Sequence, residues 1–249
     1  ELMKLEYAKA VGKPSPVDAP HMLLLEPMFA FIYGMPDGAD NLKKFEADKL
    51  LLMKFFRRHG YLDAEILSDS TWYSPDKRRI SVLLTVREGA QYKIRNVRWE
   101  GNTVYTPEVL NERLLLAHGM VYDEERFEQN LRGNQEQTDV ASLYLDNGYL
   151  KFNLDPSIER VGEDSLDITI HVYERNQFRI GHVDIRGNRK THDNVIRREL
   201  FTRPGDYFSR ANIFRSLRQL SQLNYFNPEK LRPATRLVDE ETVDLIYEV

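Results

Sequence analysis

The chain of 249 residues is 41% hydrophobic and 30% charged, with a net charge of −4 at neutral pH and no cysteine. That balance fits two or three small domains and excludes nucleic acid as the main partner, because phosphate binding needs clustered Lys and Arg. Disulfide frameworks and thiolate metal sites are excluded, and no apolar run reaches the roughly 18 residues of a membrane helix.

Residues 1–41 read as an irregular N-terminal segment. Leu2–Ala10 has helical character, and Pro14, Pro16 and Pro20 break regular structure. Met22–Tyr33 is apolar and aromatic but interrupted by Glu26 and Pro27. It is either buried against the first domain or a docking patch for a partner or lipid surface. From Phe45 the pattern is helical: Phe45, Leu52, Phe55 and Phe56 share a face, Lys49, Lys54, Arg57 and Arg58 lie outside it, and His59-Gly60 is the stop. Tyr61–Tyr73 reads as a strand, Ser74-Pro75-Asp76 as a turn, and Ile80, Val82, Leu84 and Val86 as an alternating strand. Residues 42–89 are thus the remainder of a first domain whose start is truncated or divergent.

Residues 90–175 form a complete second domain. Tyr92–Glu100 is a strand closed by the turn pair Gly101-Asn102. Thr106-Pro107 starts a helix whose buried face is Leu110, Leu114 and Ala117, and His118-Gly119 stops it. Asp123 caps a second helix, broken near Gly133 and ended by Asn147-Gly148. Strand Tyr149–Arg160, a turn at Gly162 and an alternating strand of Leu166, Ile168, Ile170 and Val172 follow. The third domain, 176–249, repeats this order. Its strand Phe178–Arg186 ends in Gly187-Asn188, a helix runs from His192 to Leu200, and a turn holds Gly205. Ser209 caps a second helix, and strands follow near Leu231–Leu237 and through Val243, Leu245, Tyr247 and Val249. Gly101 maps on Gly187 and Gly119 on Gly205 at one offset of 86 residues, the mark of an array of supersecondary units. Gly101, Asn102, Gly119, Gly148, Gly187, Asn188 and Gly205 are the expected structural turns. The junctions Glu88-Gly89-Ala90 and Glu174-Arg175-Asn176 are short, so neighbouring units should be held stiffly. The start at Glu1 and the end at Val249 within a strand pattern suggest an excerpt of a longer protein.

Catalysis has no visible home. No HxxxH or HExxH spacing, GxSxG, Walker loop or dinucleotide fingerprint occurs, so no catalytic residue, cofactor or metal is expected. His171 and His182 are expected on adjacent strands as an accidental surface pair. The architecture offers edge strands instead, whose unpaired backbone groups can take up an extended peptide.

The strand–helix–helix–strand–strand order, the Gly-Asn closing the first strand and the Gly-Tyr after the second helix (Gly60-Tyr61, Gly148-Tyr149) resemble POTRA domains. Over residues 42–249 the segments 99–105, 143–150, 187–191, 195–200 with 203–206, and Tyr225-Phe226-Asn227-Pro228 resemble the BamA family of outer-membrane protein insertases of Gram-negative bacteria. The resemblance implies an α+β fold of tandem POTRA repeats, each a three-stranded mixed sheet covered by two helices. It places them on the periplasmic face of the outer membrane, with the last adjoining a membrane β-barrel beyond Val249. It implies a non-enzymatic scaffold whose partners are unfolded outer-membrane proteins and accessory lipoproteins.

In that family the second strand of each unit is the exposed edge, here about 63–73, 151–160 and 231–237. Pro156 and Pro233 remove donors from two of them. The most open edge is then Asp63, Glu65, Leu67, Ser68, Asp69, Thr71 and Tyr73. Arg197, Arg198 and Glu199, on a short helix whose core is met by Val195, Ile196 and Leu200, are either a solvated face or a lipoprotein docking site. The family's first strand and first helix are not evident before residue 42. Two other readings stand beside this one. One is the POTRA region of a two-partner secretion or translocation-assembly transporter. The other is an RNA-binding α/β array, disfavoured by the acidic charge and the lack of a GXXG loop.

Overall fold

Every second residue of three strands is large and apolar, and those strands become the centres of three sheets. The computed structural model describes residues 21–25, 38–73, 80–189 and 191–249. The first sheet is built from β1 (His21–Leu25), β2 (Glu65–Tyr73) and β3 (Ile80–Arg87), with helix α1 (Gly38–Arg58) between β1 and β2. The second holds β4 (Lys93–Glu100), β5 (Asn153–Val161) and β6 (Ser165–Tyr173), with α2 (Pro107–Leu114), α3 (Glu124–Arg132) and α4 (Val140–Asp146). The third holds β7 (Arg179–Arg186), β8 (Arg232–Leu237) and β9 (Thr242–Glu248), with α5 (Asp193–Arg197) and α6 (Arg210–Gln222). The strand orders are β1-β3-β2, β4-β6-β5 and β7-β9-β8. In each sheet the last strand is central and the second is an edge. The central strands bury Val82, Leu84 and Val86, then Leu166, Ile168, Ile170 and Val172, then Val243, Leu245 and Tyr247.

Local chemistry sets the helix limits. Ser209 accepts from the Asn212 N–H, and Asp123 Oδ1 from the Arg126 N–H (3.0 Å). The long second helix of the middle unit is broken because Asp139 caps a new start, accepting from both the N–H and the hydroxyl of Ser142. Some limits differ from the sequence pattern. Helix α2 ends at Leu114, with Leu115 left-handed (φ 56°), so His118-Gly119 is not its stop and Ala117 is exposed. Helix α5 is shorter than 192–200, and α1 starts at Gly38 rather than near Phe45. Phe56 is buried with Phe45 and Leu52 against it, whereas Phe55 is 40% exposed. Residues 61–64 and 149–152 are turns, so β2 and β5 begin later than the pattern suggests.

The first sheet departs from the third in direction. Strand β7 runs parallel to β9, giving a mixed sheet, but β1 runs antiparallel to β3, with Leu23 opposite Leu84. The first sheet thus has a strand in the place where the sequence shows none, supplied by the start of the 22–33 apolar stretch. Residues 26–33, the stretch Leu2–Ala10 expected as a helix, the prolines Pro14, Pro16 and Pro20, and the expected turn Ser74-Pro75-Asp76 lie outside the described residues.

The chain divides into two compact bodies: residues to Arg95 with 117–126 and 160–167, and residues 96–116, 127–159 and 168–249. The same main-chain clasp occurs in each. In the first body, Gly60 (φ +87°) ends the turn after α1, and its carbonyl accepts from the Tyr92 N–H (2.9 Å). The Gln91 side chain donates to the His59 carbonyl (3.0 Å), and the Tyr92 carbonyl accepts from the Tyr122 N–H (3.0 Å). In the second body Gly148 (φ +90°) accepts from the Phe178 N–H (2.7 Å). Gln177 donates to the Asn147 carbonyl (2.7 Å), and the Phe178 carbonyl accepts from the Phe208 N–H (2.9 Å). Ion pairs Arg57–Glu124, Arg58–Glu125 and Arg160–Asp63 reinforce the first clasp. Asp146, accepting from the Ala211 N–H (2.7 Å), and Arg210 beside Ser142 reinforce the second.

Glu174 fastens the linker before β7. Its carboxylate accepts from the N–H and hydroxyl of Thr103, the Val104 N–H (3.0 Å) and the Tyr144 hydroxyl (3.2 Å). Burial alone would raise its pKa, but those hydrogen bonds outweigh it and hold the group below its usual range. A depressed pKa contributes stability that is present above the unfolded value, near 4.3, and is lost as pH falls through the folded one. Glu174→Gln should therefore lower the unfolding free energy at neutral pH by about 1–2 kcal/mol. The gap from the parent should close as pH falls below about 4; an equal gap at pH 3 and pH 7 would contradict the role.

The glycines expected as turns all take positive φ: Gly101 (+82°), Gly119 (+81°), Gly148, Gly187 (+96°) and Gly205 (+91°). Asn102 and Asn188 close their turns by donating to the carbonyls of Tyr105 (2.9 Å) and Thr191 (3.4 Å). Gly187 has a second reason to be glycine. A Cβ there would run into the carbonyl of Val249, as one on Gly101 would meet that of Val172 at 2.5 Å. Gly205 faces open space. Gly187→Val is expected to destabilise the third sheet by about 2 kcal/mol or more, and Gly205→Ala, with strained φ alone, by about 1 kcal/mol. Urea unfolding of the full chain followed at third-sheet amides measures both; equal midpoints would contradict the packing of Gly187 on the last strand.

Candidate functional site

Strand β2 is an edge of the first sheet, as the resemblance implies, but it is not open along its whole length. Asp63 precedes the strand and is committed to the clasp, accepting from the Tyr92 hydroxyl (2.7 Å) and Arg160 (2.6 Å). Glu65 pairs with Arg87, its direct cross-strand partner. Leu67 is the extra residue of a bulge, since Ile66 faces Val86 and Ser68 faces Thr85. A bulge bends and twists the edge, which discourages pairing there. From Ser68 to Tyr73 the ladder is regular, and Ser68, Asp69, Ser70, Thr71 and Trp72 are exposed.

Asp69 is drawn toward the helix. Lys49 Nζ donates to Asp69 (2.7 Å) and also meets Glu46 (2.7 Å), hydrogen bonds that raise the lysine's pKa. Lys49 is thus a tie between α1 and the edge, not one of the outward cations of its helix.

The other edges are blunted differently. Strand β5 carries Pro156 and buries Leu154, while Ile158 is 40% exposed. Strand β8 is exposed at every residue, carries Pro233 opposite Tyr247, and is locked to β9 by Arg236. Arg236 donates to Asp244 (2.6 Å), directly opposite it, and Asp244 also accepts from the His182 N–H (2.8 Å). The guanidinium, with His182, holds the Asp244 carboxyl below the usual range although burial opposes it. Alternation alone would have placed Asp244 outward in solvent, yet it is buried with Ile246 beside it. The signal was Gly181: a Cβ there would lie 2.7 Å from Asp244 Oδ1, so the glycine leaves room for the carboxylate.

Arg197, Arg198 and Glu199 do not form one exposed triad. Arg197 is fastened to Asp193 (2.6 Å) and to the Val183 carbonyl (2.9 Å). Among the described residues Arg198 pairs only with its neighbour Glu199 (2.9 Å) and remains 67% exposed, while Glu199 is mostly covered. His171 and His182, expected on adjacent strands, lie in different sheets, beside Glu100 (3.1 Å) and Asp244 (3.3 Å). Among the described residues no group of three His, Asp or Glu converges to hold a metal, and no helix is long and apolar enough to cross a membrane.

Comparison with known proteins adds to this geometry. The POTRA family, described as a surface antigen variable number repeat, matches residues 92–175 and 178–249. A Treponema pallidum protein named as an outer membrane protein assembly factor is 31% identical over 222 residues, covering 86% of this chain and 25% of its own. The outer membrane protein assembly factor BamA of Nitratidesulfovibrio vulgaris is 29% identical over 228 residues, covering 89% of this chain and 27% of its own. The chain therefore spans about a quarter of the length of these curated relatives. The crystal structure of Haemophilus influenzae BamA POTRA3-5 superposes with a TM-score of 0.62 at 19% identity, covering 82% of this chain and 79% of that one.

Proposed function

Because the chain belongs to the POTRA family, we propose that it is the periplasmic arm of an outer-membrane assembly protein, receiving unfolded outer-membrane proteins by strand addition. Three sheets that each leave their second strand at an edge carry this reading, and the regular run Ser68–Tyr73, exposed from Ser68 to Trp72, is its foremost site. An added strand gains main-chain hydrogen bonds of roughly 0.5–1.5 kcal/mol each, so a six-residue edge holds a client weakly. Edges in series would retain an extended chain through avidity while each contact stays easy to release. No step of this work makes or breaks a covalent bond, and the arm acts as a scaffold rather than an enzyme. Accessory lipoproteins are the second class of partner, with Arg198 and Glu199 as the contact. A barrel in the outer membrane, outside this chain, would take the client onward.

The backbone of β2 supplies the test. Successive residues of a strand turn their N–H groups to opposite sides, so one of Ser70→Pro and Thr71→Pro removes a donor bonded to β3 and the other removes an outward donor. The outward variant should keep its circular dichroism and lose about 1–2 kcal/mol of affinity for an extended barrel-strand peptide. Alanine at either position, and Ser68→Ala, should change affinity little. A folded proline variant that binds like the parent would rule out this edge. For the lipoproteins, Arg198→Glu is the clean probe and should reduce their co-purification without loss of folding. Arg197→Glu would break a structural hydrogen bond as well.

A further inference from the structure

In the body formed by 96–116, 127–159 and 168–249, the loop between α3 and α4 is built rather than slack. Asn134 donates its N–H to Asp139 (3.3 Å) and its side-chain amide to the Thr138 hydroxyl (2.9 Å), and accepts from the Thr138 N–H (3.0 Å). The loop, helix α6 and the turn at Pro228–Lys230 enclose a groove of about 560 Å3. Its apolar floor is Phe214, 45% exposed, with Leu217 and Leu231. Gln135 and Gln137 stand on one wall.

The charge of this groove is out of keeping with the chain. With 39 Asp and Glu against 35 Lys and Arg overall, no carboxylate lines it, and its two ionic groups are Arg210 and Arg218. Arg210 is held at the wall by Asp139 (3.6 Å) and Ser142. Arg218 is exposed and makes no ion pair among the described residues. An apolar floor with an exposed guanidinium beside it suits a side chain of large apolar surface next to a carboxylate.

We propose that this groove docks an acidic segment of a partner protein, seating an aromatic or large aliphatic side chain on Phe214 and Leu217 with a neighbouring carboxylate on Arg218. Recognition here runs through side chains and charge, so it is separate from strand addition and does not depend on it.

Two blocked peptides, Gly-Asp-Phe-Asp-Gly and Gly-Lys-Phe-Lys-Gly, test this by amide NMR titration of the full chain. The acidic peptide should give saturable shifts at Gln135, Phe214, Leu217 and Arg218, and the basic one should bind about tenfold more weakly. Arg218→Glu should reverse that preference, and Arg218→Gln should remove it, both with the parent's circular dichroism. Equal shifts from both peptides, shifts confined to Ser68–Tyr73, or none at these residues at several millimolar acidic peptide would overturn the proposal.

Discussion

A carbonyl freed by a left-handed glycine at the end of a helix is the contact on which each following strand depends. Gly60 offers it to Tyr92 and Gly148 to Phe178, and in both places a glutamine beside the aromatic residue fastens the preceding carbonyl. These bonds use main-chain atoms that helix ends leave unsatisfied, so the clasp meets two needs at once. Its linkers share one conformation. Gly89 (φ +74°) and Arg175 (φ +57°) occupy equivalent places, and where the residue is arginine the neighbouring Glu174 supplies four hydrogen bonds to hold the path.

The edges follow from the same construction. Placing the last strand in the centre buries its apolar face and leaves the second strand with one row of unpaired groups. An open edge is useful to a protein that takes up strands and hazardous to one that must not aggregate. This chain limits each edge rather than closing it. It uses the Leu67 bulge and the Asp69–Lys49 tie on β2, Pro156 on β5, and Pro233 with the Arg236–Asp244 pair on β8. What remains is short, which suits transient contacts.

Much of this was legible in the chain itself. The central strands, the Gly-Asn turns and the caps at Asp123 and Ser209 rest on interactions between near neighbours, and the offset of 86 residues exposed the repeat. The illegible features rest on distant partners. Strand β1 needs β3, about 60 residues away, to be a strand at all, and its direction against β3 has no local signal. Asp63 resembles an edge residue until Tyr92 and Arg160 reach it. Asp244 resembles a solvent-facing residue until Gly181 makes room and Arg236 pairs with it. Leu115 ends α2 in a conformation that leucine rarely takes, so the sequence pattern points to the next glycine as the stop instead.

Residue-resolved amide hydrogen exchange of the full chain, with and without a denatured outer-membrane barrel protein, tests strand addition most directly. Bound client should slow exchange at alternate amides of Ser68–Tyr73, and to a smaller extent on β5 and β8, while β3, β6 and β9 are unchanged. Protection confined to the helices, or bound client with no slowed amide on any edge strand, would contradict strand addition.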